Sequence, residues 1–117
     1  MRVVIPSDHK DEGAEIYPFF GQAKYFYLYE MEKGESSLLE IRENSASDSI
    51  RELSHGKRPL SVQQIIDKYL NECDVFVAVN MNKNVISNLE AKGKKVIFVK
   101  GGQIRELVSK IAKEALQ

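Results

Sequence analysis

The chain has 117 residues, 43% of them apolar, and its 17 basic side chains balance 17 acidic ones. That length suits one domain spanning 1–117, and the balance argues against both the basic footprint of a nucleic-acid binder and the polybasic patch of a membrane-surface protein. No apolar run is long enough to span a bilayer, and with Cys73 as the single cysteine no internal disulfide can form, so a cytoplasmic protein is expected.

Residues 2–6 are a short β-branched run stopped by Pro6 and followed by a polar stretch from Ser7 to Gly13. This reads as a strand and a loop, not as a signal peptide. Residues 24–31 form the clearest strand, with Tyr25, Tyr27 and Tyr29 on one face and Phe26 and Leu28 on the other. Bulk on both faces predicts cover on both sides of the sheet. Lys33-Gly34 is a tight turn, and residues 36–43 return as an antiparallel, half-exposed strand. Residues 44–59 show no periodicity and read as a long polar loop.

Ser61-Val62-Gln63-Gln64 fits a capping box, and the apolar stripe from Val62 through Ile65, Ile66, Tyr69 and Leu70 to Cys73 predicts a helix. An apolar strand follows at 74–79, then a helix from 82 or 83 to 92 with Gly93 as its C′ residue. Residues 96–99 are a second buried strand, and a last helix begins after Gly101-Gly102. The order is β-β-β-α-β-α-β-α. A meander followed by right-handed parallel crossovers is the ribonuclease H-like arrangement: one α/β domain, a mixed five-stranded sheet and helices on both faces.

In an open α/β sheet, ligands bind beyond the carboxyl ends of the parallel strands. Here those ends deliver Ser7, Asp8 and His9, then Asn80-Met81-Asn82, then Lys100-Gly101-Gly102. Asp8 and His9 are readable as ligands, or as a turn cap and a solvated imidazole. His55 is either a loop ligand or simply solvated. Cys73, on an apolar stripe, reads as a buried thiol, and Gly101-Gly102 as a turn. No zinc spacing, phosphate loop, nucleophile elbow or dinucleotide fingerprint is present. A two-metal nuclease needs converging carboxylates, yet the fourth strand ends in Asn80 and no acid follows the fifth. No enzymatic activity is expected.

Ile5-Pro6-Ser7-Asp8, Pro18-Phe19-Phe20-Gly21-Gln22-Ala23-Lys24-Tyr25-Phe26, Tyr29-Glu30-Met31-Glu32-Lys33-Gly34 and Arg42-Glu43-Asn44 follow one another as in the dinitrogenase iron–molybdenum cofactor biosynthesis family, which this chain resembles over nearly its whole length. The resemblance implies a small ribonuclease H-like domain that binds or carries an iron–sulfur or iron–molybdenum type cluster or its precursor, with a protein partner in cofactor assembly. It places a cofactor-binding edge at Ser7, Asp8, His9, Phe19, Phe20, Gly21 and Asn80, and metal ligands at His9 and His55. The sequence departs from the family in carrying Phe19 where a histidine is usual and Asn80–Asn84 where a glycine-rich turn is common. That departure supports a second reading, a protein-interaction or sensor module of the same fold without the ligand.

Overall fold

The computed structural model describes residues 1–11, 13–44 and 61–114. Strand β1 (Arg2–Ser7) is followed by a loop holding a single 3-10 turn at Phe20–Gln22, then by β2 (Tyr25–Glu32) and β3 (Glu35–Glu43). Next come α1 (Val62–Tyr69), β4 (Val75–Ala78), α2 (Lys83–Ala91), β5 (Lys95–Phe98) and α3 (Ile104–Glu114). The strands form one sheet in the order β3-β2-β1-β4-β5. The β1–β2 and β2–β3 pairs are antiparallel, and β1–β4 and β4–β5 are parallel. This is the expected ribonuclease H-like arrangement, and residues 45–60, which include His55, lie outside the described part of the chain.

Local chemistry accounts for most element ends. Lys33 and Gly34 both take positive φ, 50° and 82°, the geometry of a two-residue hairpin whose twist matches its strands. At Ser61 the capping box is complete: the Ser61 hydroxyl accepts from the Gln64 amide at 3.2 Å, and the Gln64 side chain accepts from the Ser61 amide at 2.9 Å. Asn82 caps α2 by accepting from the Asn84 amide at 2.8 Å. Gly93, at φ 79°, closes the helix in the left-handed conformation that glycine takes without a steric cost. Two expectations are corrected. The strand expected to be buried at 96–99 is β5 at the end of the sheet, with Lys95 and Phe98 exposed and Val96 and Ile97 half-buried, because it has a neighbour on one side only among the described residues. The apolar stripe suggested that α1 reaches Cys73, but the helix stops at Tyr69. Asn71 and Glu72 then make a turn in which the Cys73 amide donates to Leu70 O at 3.0 Å. Cys73 is thus buried in the α1–β4 turn and not on the helix.

Two apolar layers cover the sheet. On one face Phe20, Phe26, Leu28 and Phe76 pack beneath Ile65, Ile66 and Leu70 of the α1 region and Val85 and Leu89 of α2. On the other, Val3, Ile5, Tyr27, Met31, Val75 and Val77 pack beneath Ile104, Leu107, Val108, Ile111 and Ala112 of α3. The alternation of β2 therefore feeds both cores, as its two-sided bulk implied. Arg42 joins the β3 edge to α1 by donating to Tyr69 O and pairing with Glu40 and Glu72. Among the described residues no helix is long and apolar enough to cross a membrane.

Candidate functional site

Where β1 and β4 end side by side, the loop after β1 folds back across the edge. Three isolated bridges hold it: Ser7 with Ile16, Glu15 with Gln103, and Phe19 with Asn80. Ser7 is fully buried, and its hydroxyl donates to Glu15 O at 2.8 Å. The Asp8 carboxylate accepts from the Lys24 amide at 3.1 Å, and Tyr27 Oη donates to His9 O at 2.6 Å. Ser7 and Asp8 therefore tie the loop to the strands, while the His9 side chain is exposed.

The loop's far end builds a groove of about 300 Å³ lined by Phe19, Phe20, Gly21, Gln22, Val62, Asn80, Met81 and Asn82. Phe20 is its anchor. Only 2% exposed, it packs against Phe26 and Phe76 with ring centroids 5.4 Å and 6.0 Å away. Gly21 allows α1 to close against the 3-10 turn, because a Cβ at Gly21 would lie 2.6 Å from Val62 Cγ2. Any larger residue must push the start of α1 away. Asn44, at the end of β3 and 2% exposed, fixes the turn from below. Its Nδ2 donates to Gly21 O at 3.1 Å and to Ala23 O at 2.8 Å. Phe19 is the opposite case, 53% exposed, with its ring edge-on to Tyr17 at 6.1 Å.

The expected site residues therefore divide. Phe19, Phe20, Gly21 and Asn80 come together in the groove, and Ser7, Asp8 and His9 lie outside its lining. Sequence reasoning placed Met81 and Asn82 with Asn80 at this strand-end edge, but missed Gln22 and Val62 as lining residues and Asn44 as the clamp beneath them. A lone asparagine at a strand's end was the one available signal for the clamp.

Among the described residues no ionisable side chain lines the groove. It offers the side-chain amides of Gln22 and Asn80, the Met81 thioether, two aromatic rings and the amino end of α2, where the helix dipole favours negative charge. That inventory holds no nucleophile and no proton-transfer group. Nor does it fit a cluster anchored by side-chain bonds to iron, for which thiolates are the usual ligands. Cys73 cannot supply one, since it lies outside the groove and its thiol is pushed up to about 12, chiefly by burial and then by Glu72. Among the described residues no three His, Cys, Asp or Glu side chains cluster as a metal site.

Solved structures share this architecture. The protein PH0822 superposes with a TM-score of 0.68 at 17% identity, over 96% of this chain and 88% of that one. A solution structure from Thermotoga, described as a presumptive NifB protein, gives 0.63 at 27% identity, over 95% and 86%. The apo form of the orange protein from Desulfovibrio gigas gives 0.65 at 19% identity, over 94% and 85%. No curated protein matches the sequence. The family described as dinitrogenase iron-molybdenum cofactor matches residues 1–114, reaching from β1 to the end of α3. This chain belongs to that dinitrogenase iron-molybdenum cofactor family.

Proposed function

We propose that this chain is a non-enzymatic accessory protein that holds an iron–sulfur or iron–molybdenum type cofactor, or its precursor, reversibly in the Phe19–Gln22/Asn80–Asn82 groove. One observation carries the reading. The groove lies at the carboxyl edge of the parallel strands, and its lining is suited to binding and not to reaction. The family, described as dinitrogenase iron-molybdenum cofactor, supports a ligand of this class. Because the lining offers neutral amides and a helix amino end in place of thiolates, the contacts to an anionic cofactor are hydrogen bonds and shape. Such contacts suit a carrier that must release its cargo to a partner in cofactor assembly.

The test is anaerobic purification with metal analysis and a visible spectrum, repeated after incubation with iron and sulfide, with and without molybdate. Stoichiometric metal with charge-transfer bands is expected. Gln22→Glu and Asn80→Asp, each of which places a negative charge on the groove's lining, should both reduce uptake. Uptake unchanged in both variants would remove the groove from the account. A colourless, metal-free protein in every condition would favour the second reading, a ligand-free interaction module. That reading draws on the exposed Phe19 ring and an open strand edge at β5.

A further inference from the structure

The balanced charge of the whole chain conceals a local excess. Residues 92–110 carry six basic side chains against one acid, Glu106. Two of the six are occupied: Lys92 pairs with Asp67, and Lys94 donates to Asn71 O and Cys73 O. Lys95, Lys100 and Lys110 have no ion-pair partner among the described residues.

These three surround the free edge of β5. Among the described residues this strand ends the sheet and pairs only with β4. The Lys95 amide donates to Asp74 O at 2.9 Å and the Val99 amide to Ala78 O at 3.0 Å. In a parallel ladder alternate residues face opposite sides, so the amides and carbonyls of Val96 and Phe98 point outward. Beside the edge runs a groove of about 490 Å³, lined by Ile97, Phe98, Val99, Lys100, Gly101, Leu107, Lys110 and Ile111. Phe98 is 51% exposed. α3 packs towards the β3 side of its face, and among the described residues nothing covers the flank of β5.

We infer that the β5 edge docks an extended, acidic and apolar segment of a partner protein, which adds to the sheet as a sixth strand. The exposed main-chain groups of Val96 and Phe98 supply the ladder. The groove over Leu107 and Ile111 accepts every second side chain, and Lys95, Lys100 and Lys110 face its carboxylates. The lysines also decide against the competing occupants. A second copy on a two-fold axis would set each lysine cluster against its twin, the means by which short edge strands avoid pairing with themselves. A nucleic acid would leave the aliphatic floor and the outward main-chain groups without use.

This inference is independent of the cofactor reading, and its test uses the ligand-free full chain. The probe is an eight-residue peptide alternating glutamate and valine, titrated at low ionic strength while the amide signals and exchange rates of Val96 and Phe98 are followed by NMR. Saturable shifts at both amides with slowed exchange are expected. Methylating the two peptide nitrogens that face β5 removes two hydrogen bonds, so binding should weaken about tenfold. The triple variant Lys95→Glu, Lys100→Glu, Lys110→Glu should lose binding while keeping its far-UV spectrum, and Phe98→Ala gives a milder second variant. Four outcomes would overturn the inference: no binding, equal binding of the methylated peptide, tighter binding of a single-stranded oligonucleotide at the same residues, or exchange protection from self-association without peptide.

Discussion

The two faces of the sheet solve the same problem differently. On the α1/α2 face, two helices close over a centre of three phenylalanines, and the Gly21–Val62 approach and the Asn44 clamp leave little room to shift. On the other face a single helix, α3, covers an aliphatic layer and leaves clefts of about 420 Å³ and 490 Å³ on its two sides. The first face can hold a groove of defined shape because two of its lining residues, Phe20 and Gly21, are buried against the core. The second offers open surface with charged rims.

The largest effect is expected at the aromatic centre. Phe26→Ala should cost about 3–5 kcal/mol in a urea titration, since the side chain is fully buried and its loss leaves a cavity. A much smaller loss would mean that this face is as compliant as the other. Next comes Gly21→Ala, which should destabilise by about 1–3 kcal/mol through overpacking on Val62. Adding Val62→Ala should recover much of that loss, whereas additive costs would show that the two residues do not press on each other. Ser61→Ala opens the capping box beside the groove and should cost about 1 kcal/mol, read in the same titration.

The smallest effect is a difference in pH dependence that shows only in alkali. Burial keeps Cys73 protonated up to about 12, while the unfolded thiol ionises near its ordinary 9.0. A folded-state value above the unfolded one gives a contribution that is whole below 9.0 and falls as pH rises towards 12. Stability should therefore decline more steeply with alkali in the parent protein than in Cys73→Ala. The thiol should also resist a disulfide reagent at pH 8 until the protein is unfolded. Parallel alkaline profiles, or rapid labelling of the native protein, would show this corner of the rigid face to be open.

Fold and site were legible to different degrees. The strands, the three helices, the capping box at Ser61 and the turn at Lys33-Gly34 were readable because each is written in a local pattern: alternation, helical spacing or a cap three residues from its partner. Phe19, Phe20 and Gly21 were nominated by family resemblance and Asn80 by its place at a parallel strand's carboxyl end, and the structure brings them to one groove. The helix end before Cys73 was misread because an apolar stripe continues past the residue where the backbone turns.

The sequence alone determined the order of elements, the two-sided burial of β2 and the edge character of β3, since side-chain period and polarity are properties of the chain. Only the tertiary structure decided that Asn44 supports the Phe20–Gln22 turn, that Phe19 pairs with Asn80, and that Lys100 and Lys110 come together beside the edge of β5. Those contacts join residues from separate elements, often far apart along the chain. No local period encodes them, and they exist only once the sheet has chosen its neighbours.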